Sequence, residues 1–185
     1  AGTGKTTFLR SVVEKSQKRL VVVAPTGVAA INARGVTIHS FFQLPFSPYI
    51  PNTIVKGEYG VSKEKRNIIR TLDLLIIDEI SMVRSDLLDA IDSGLRRFKN
   101  PMKPFGGVQL LMMGDLQQLT PVVTEEDVGM LRPHYSTPYF FGSHALSQIP
   151  YVTIELKHVY RQQDVGFLHL LNHVREGRPT AEDMQ

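Results

Sequence analysis

Residues 1–15 read AGTGKTTFLRSVVEK. Gly4, Lys5 and Thr6 supply the last three fixed positions of the pattern G-x-x-x-x-G-K-[ST]. Small residues in such a loop let successive backbone N–H groups curl around an anionic phosphate. The lysine reaches the β- and γ-phosphates and the threonine hydroxyl ligates Mg²⁺. Gly2, Thr3, Gly4, Lys5, Thr6 and Thr7 are therefore the expected nucleotide-binding stretch, with Thr6 also a metal ligand. Phe8, Leu9, Val12 and Val13 follow at helical spacing, which puts the phosphate at a helix N-terminus. The bland alternative is a Gly-rich turn with a surface lysine, and GTGKTT directly before an amphipathic helix argues against it. The pattern's opening glycine would lie two residues ahead of Ala1, and the strand that feeds such a loop would lie further upstream. The chain is thus expected to be a piece of a longer nucleotide-hydrolysing protein, truncated at its first strand.

Outward from this loop, apolar runs alternate with helical patterns over all 185 residues. That alternation argues for one α/β domain with a parallel sheet and helices on both faces. The expected strands are 19–25 (RLVVVAP), 74–78 (LLIID), 108–114 (VQLLMMG) and 152–156 (VTIEL), with a further short one at 37–39. The first three are nearly continuous apolar runs, as strands covered on both faces require. The expected helices are 5–15, 27–33, 63–71, 86–98 and 165–176. In the fourth, Leu87, Ile91, Leu95 and Phe98 share a face and Ser85 is the expected N-cap. Residues 44–60 (LPFSPYIPNTIVKGEYG) read as an irregular insertion or small hairpin, and 124–143 as irregular chain.

Bulk composition sets bounds. The net charge is +3 and 42% of residues are hydrophobic, so a substantial core is available and a polyanionic partner is permitted but not required. No cysteine is present, which excludes disulfides and cysteine-held zinc or iron–sulfur centres. No apolar run approaches the roughly 20 residues of a membrane span.

Two further stretches carry chemistry. Residues 74–79 read LLIIDE, a buried strand delivering carboxylates to the ligand crevice of an open sheet. Asp78 would hold Mg²⁺ and Glu79 would orient and deprotonate an attacking water. Residues 108–119 read VQLLMMGDLQQL, another strand whose exit turn carries Gln117 and Gln118. A glutamine has both donor and acceptor ends and suits a γ-phosphate sensor; in isolation the same turn reads as solvated. Arg161 follows the expected strand 152–156, and either a bidentate phosphate contact or a surface salt bridge fits it.

With residues 24–42 (APTGVAAINARGVTIHSFF), these motifs resemble superfamily-one DNA helicases of the 5′-to-3′ branch. The resemblance is to the PIF family (petite-integration-frequency type), with RecD-type enzymes as near relatives. AGTGKTT matches motif I, APTGVAA and GVTIHSFF motifs Ia and Ib, IIDEISMV motif II and GDLQQLTPV motif III. LKHVYRQQDVGFLHLLNHVREG matches motif IV and the helix after it. The matches run in order along nearly the whole chain. What the resemblance implies is a P-loop NTPase fold: a first RecA-like motor domain, partial, over residues 1–185. Its cofactors would be ATP and Mg²⁺. Its partners would be single-stranded DNA, duplex junctions and a second RecA-like domain of the same parent chain. It implies an ATP site of Lys5, Thr6, Asp78 and Glu79, a coupling glutamine at Gln118 and a γ-phosphate arginine at Arg161. Thr26, Thr37, His39 and Ser40 would contact the single strand, and 44–60 would be a small inserted wedge. Roles in DNA repair, recombination and telomere maintenance, and a nucleoid or nuclear location, go with that family. The 185-residue piece alone is expected to be inactive. Two readings compete: another P-loop ATPase, clamp-loader-like or chaperone-like, and a non-catalytic nucleic-acid-binding fragment.

Several residues also have plainer readings. His39 could be a core histidine bonded to backbone. The basic run Lys63, Lys65, Arg66 and Arg70 could meet phosphates or simply be solvated. Asp86, Asp89 and Asp92, three apart, read as a solvated helix face rather than a cation site.

Overall fold

The computed structural model describes residues 3–51 and 61–156. Arg161, Gly2 and the expected helix 165–176 lie outside the described residues, as do positions 52–60 of the expected wedge. Two compact units divide the chain, one of them Lys15–Val152; the other holds, among the described residues, 3–14 and 153–156.

α1 spans Lys5–Lys15, all but its last residue belonging to the second of these, and begins directly after Gly4, whose φ is +83°. The Gly4 carbonyl accepts from the Phe8 N–H at 2.8 Å and so opens the helical ladder. Of its four apolar side chains only Leu9 is buried; Phe8 and Val13 remain exposed.

The larger unit is built on a four-stranded parallel sheet in the order β2-β1-β3-β4, an α/β arrangement as expected. β1 is Leu20–Ala24, β2 Val36–Thr37, β3 Leu74–Ile77 and β4 Gln109–Met112. β1 and β3 pair Leu20 with Leu74 through Val23 with Ile77, and β3 and β4 pair Leu74 with Gln109 through Ile77 with Met112. All four residues of β3 are buried, so both faces of that central strand are out of water. β4 is only partly covered, starting with an exposed Gln109.

α2 (Gly27–Asn32) and α3 (Ile38–Phe42) follow β1 and β2. α4 (Lys63–Thr71) leads into β3, and α5 (Ser85–Phe98) lies between β3 and β4. The main core gathers Val23, Ile38, Phe41, Leu75, Ile77 and Ile91 with their neighbours, and it includes Phe105 from the turn before β4.

Four expectations about secondary structure need correction. Residues 151–156 form no strand; from Tyr151 to Leu156 every side chain is exposed, so the alternation V-T-I-E-L has no sheet face to fill. The short strand expected at 37–39 lies earlier, at Val36–Thr37, because Thr37 caps α3 and turns the chain into a helix. Ser85 is the first helical residue of α5 rather than its cap; the cap is Arg84, and the Ser85 hydroxyl donates instead to the Thr137 carbonyl at 3.0 Å. The stretch 124–143 contains a sixth helix, α6 (Glu125–Leu131), started by a capping box between Thr124 and Asp127.

The acidic stripe of α5 is not solvated. Asp86 is 1% exposed and Asp89 6%. The Asp89 carboxylate accepts from the Tyr135 hydroxyl at 3.0 Å, the Ser143 hydroxyl, the His144 N–H at 3.1 Å and the Ala145 N–H at 3.0 Å. Burial and the neighbouring carboxylate push the Tyr135 phenol well above its ordinary range, so it stays a donor. Asp92 accepts from Arg96 at 2.8 Å and from the Phe105 N–H, while burial raises its pKa. Asp89 and Asp92 thus tie the 135–145 stretch and the turn before β4 to one helix.

Replacing Asp89 with alanine strands four donors at once, three of them buried. Thermal or denaturant unfolding of Asp89→Ala should show a loss of about 2–4 kcal/mol, whereas Tyr135→Phe, which removes one donor and leaves the acceptor satisfied, should lose about 1 kcal/mol.

Candidate functional site

In a parallel sheet every strand ends on the same edge, and the loops leaving that edge form the ligand crevice. β1 exits to Thr26, β2 to Thr37 and His39, β3 to Asp78 and Glu79, and β4 to Asp115 and Gln118. The aligned registers bring these exits to one edge of the larger unit. Lys5 and Thr6 stand at the N-terminus of α1 in the other unit, Lys5 partly covered and Thr6 exposed.

The β3 exit is the most constrained. The Asp78 N–H donates to the Val23 carbonyl at 2.9 Å, carrying the ladder one residue past the strand. Glu79 then adopts φ +52° and ψ +46°, a left-handed conformation uncommon for a non-glycine residue. Its N–H donates to Asp78 Oδ1 at 3.0 Å, and the chain enters a single 3-10 turn, Ile80–Met82. The Ile80 N–H reaches across to the Met113 carbonyl at 2.8 Å, locking this turn to the β4 exit. Gly114 makes that approach possible: a Cβ there would sit 2.9 Å from Ile80 Cγ2 and 3.1 Å from the Ile80 and Ser81 nitrogens. The turn after Gly114 is held by Asp115, which accepts from the Gln117 N–H at 3.1 Å and the Gln118 N–H at 3.0 Å. Gln118 itself is exposed.

Thr26 and Thr37 both act as N-caps. Thr26 accepts from the Ala29 N–H and Thr37 from the Ser40 N–H, each at 3.2 Å. A hydroxyl that accepts at a cap keeps its own proton to donate, so both can still meet a phosphate oxygen. Gly35, just before Thr37, lies against β1 so closely that a Cβ would collide with the Val22 carbonyl. His39 is partly buried and stacks on Phe46, with ring centroids 4.8 Å apart and planes 25° apart. Burial, then the charge of Arg84, hold its pKa below the ordinary value, with Asp86 opposing. Ser40 is exposed, and its carbonyl accepts from Lys65 Nζ at 2.6 Å and Gln43 Nε2 at 2.7 Å. Lys65 is thereby a brace for α3, while Lys63, Arg66 and Arg70 are exposed on α4.

Sequence reasoning missed a polar cluster beside His39. The Arg84 guanidinium donates to Asp86 through Nε at 2.8 Å and Nη2 at 2.9 Å, and to Asp127 through Nη1 at 3.0 Å. Asp86 also accepts from the Tyr49 N–H at 2.9 Å. The only sequence signal was the acidic spacing of α5, which by itself reads as a wet surface.

Two outcomes follow. Gly114→Ala should force the β3 and β4 exits apart, lowering stability by about 1–3 kcal/mol, measurable by urea unfolding. For His39, the unfolded imidazole takes its proton near pH 6.5, and the folded one only at lower pH. As pH falls under about 6.5 the unfolded state holds more protons, so stability declines until pH passes the folded value. His39→Gln should therefore flatten the drop in melting temperature between about pH 7.5 and pH 5; an NMR titration of His39 should place its midpoint below that of a free imidazole.

Comparison with known proteins agrees with this layout. The model of the PIF1-like helicase family matches residues 1–185. ATP-dependent DNA helicase PIF1 of Emericella nidulans is 34% identical over 192 residues, covering 100% of this chain and 25% of that protein. The human ATP-dependent DNA helicase PIF1 is 36% identical over 185 residues, covering 98% and 27%. A crystal structure of Pif1 helicase from Bacteroides in complex with ADP-AlF3 and ssDNA superimposes with a TM-score of 0.94 at 43% identity, covering 99% of this chain and 42% of that one. The chain spans about a quarter of the length of these curated relatives. Its parallel sheet is that of a RecA-like domain, and the chain belongs to the PIF1-like helicase family.

Proposed function

We propose that the full-length protein is an ATP-dependent DNA helicase and that this chain is its first RecA-like motor domain. The reaction is ATP hydrolysis coupled to 5′-to-3′ movement along single-stranded DNA and to duplex unwinding. The observation that carries this reading is the shared sheet edge. The acidic β3 exit stands between the β1 exit, with Thr26, and the β4 exit, with Gln118. The relatives' names, and the ADP-AlF3 and ssDNA held by the Bacteroides protein, support the same reading.

Roles are assigned residue by residue. Lys5, with the loop Gly2–Thr7, compensates phosphate charge. Glu79 orients the attacking water and accepts its proton. Its left-handed backbone fixes where the carboxylate starts, a small strain of the kind found at reacting positions. Gln118, on the exposed β4 turn, senses the γ-phosphate, and Arg161 is assigned to the γ-phosphate from its motif. Thr26, Thr37, His39 and Ser40 meet the strand's backbone. The segment 44–60 is the inserted wedge, and a second RecA-like domain of the same protein completes the motor.

The donor set fits magnesium. Among the described residues no three His, Cys, Asp or Glu side chains converge. Asp78 and Thr6 offer the oxygen donors that Mg²⁺ prefers, and that ion takes one or two protein ligands beside substrate phosphates. Asp78 and Thr6 would hold it. When bound, the ion supplies charge compensation for the phosphates. No helix among the described residues is long and apolar enough to cross a membrane.

The test is ATP hydrolysis by the full-length protein with and without single-stranded DNA. Strong stimulation by DNA is expected; DNA-independent turnover would favour a different P-loop ATPase. Lys5→Ala should reduce turnover by about 10²–10³-fold. Glu79→Gln should retain nucleotide binding in a fluorescent-ADP titration while turnover drops about 10²–10⁴-fold. Gln118→Ala should leave ADP affinity unchanged and weaken DNA stimulation, because a coupling residue must contact the ATP and ADP states differently.

A further inference from the structure

Residues 44–50 contain no helix or strand. They roof a cavity of about 590 Å³, with Phe42, Leu87, Gly94 and Phe98 among the residues on its other walls. The segment starts from Leu44, which packs against the main core and whose N–H donates to the His39 carbonyl at 3.1 Å; beyond it the segment spans a void, where attraction between apolar groups finds fewer atoms in touch. Its place depends on discrete contacts. At one end Phe46, itself 86% exposed, stacks on His39. At the other, the Tyr49 N–H donates to Asp86.

Asp86 can serve as that anchor only because Arg84 neutralises it. A carboxylate 1% exposed is costly unless paired and hydrogen-bonded. Arg84 supplies two parallel N–H donors, the geometry that fixes a carboxylate's plane as well as its charge. With that plane set, Oδ2 is left aimed at Tyr49. The remaining nitrogen of Arg84 binds Asp127, the residue that closes the capping box of α6. One guanidinium therefore references the 44–50 segment to two helices.

We propose that the Arg84–Asp86 pair is a positioning latch that sets where residues 44–50 stand beside His39. It thereby governs how efficiently strand separation follows from ATP turnover, and not turnover itself. Neither residue lies on the β3 or β4 exit turns, and the segment they hold adjoins the assigned single-strand contacts. The inference rests on the helicase reading above.

The experiment uses the full-length protein, measuring single-strand-stimulated ATPase and unwinding of a forked duplex on one preparation, with thermal melting alongside. In Asp86→Asn, the amide can still accept from Tyr49 but loses the charge and half of the paired geometry. Duplex unwound per ATP should fall about tenfold or more, as displacement of a working group by an ångström costs orders of magnitude, with ATPase kcat and KM within about twofold. Arg84→Lys, which keeps the charge but not the fork, should give an intermediate loss. A merely structural role lowers the folded fraction and scales both rates together, leaving the ratio untouched. An unchanged ratio in these variants, whether both rates drop or both hold, overturns the latch. If Asp86→Asn does not fold, the ratio in Arg84→Lys decides alone. A wild-type protein that hydrolyses ATP without unwinding DNA would overturn the helicase reading and the latch with it, an outcome distinct from an unwinding wild type whose variants keep its ratio.

Discussion

Backbone pairing between β1, β3 and β4 is the constraint on which the rest of the larger unit depends. Residues from three distant parts of the sequence are held in fixed register, Leu20 beside Leu74 and Leu74 beside Gln109. A slip of one residue would turn the buried set of β3 to the opposite face. It would also displace the acidic exit by one residue relative to its neighbours. The fully apolar run LLII resists such a slip poorly by pattern alone, since every position is apolar. The exits themselves pin the register: Asp78 bonded to Val23, Ile80 to Met113, and Arg19 with Asp73 at the other end. Arg19 holds the Asp73 carboxyl at about 2, through a paired bond and its charge.

What the sequence revealed, and what it hid, follows from the range of the forces involved. Continuous apolar runs announced β1, β3 and β4; burial on both faces accounts fully for β3, whereas β4 carries the same composition while only partly covered. The helix start at Lys5 was legible for a local reason, since glycine releases the chain into positive φ immediately before it. The expected strand at 152–156 had the right alternation and no sheet partner among the described residues, and partners are not a local property. α6 was missed although Thr124 and Asp127 carry its capping box, because irregular residues around it diluted the signal. Among the candidate site residues, Asp78 and Glu79 were readable as a strand exit. The left-handed conformation of Glu79 was not; it belongs to a turn bonded to the β4 exit through Ile80 and Met113.

The carboxylates of α5 make the same point about polarity. At helical spacing, Asp86, Asp89 and Asp92 look like a surface that water covers. In the fold each faces donors brought from elsewhere: a backbone amide of the 44–50 segment, the 135–145 stretch, and the turn before β4. An α-helix has no unused amides in its interior with which to hold irregular chain, so side-chain acceptors take that task. Polar residues on this helix therefore do the organising that apolar residues do on the sheet.

The contact at Gly114 has an evolutionary consequence. The missing side chain leaves room for the branched methyl of Ile80 and the amides that follow it. A smaller residue at 80 would remove the methyl but not the backbone nitrogens of Ile80 and Ser81, so a side chain at 114 requires the turn itself to move. The constraint on 114 therefore reaches across more than thirty residues of chain to a backbone rather than to a side chain. A lineage can change 114 only by reshaping the turn that carries residues 80 and 81.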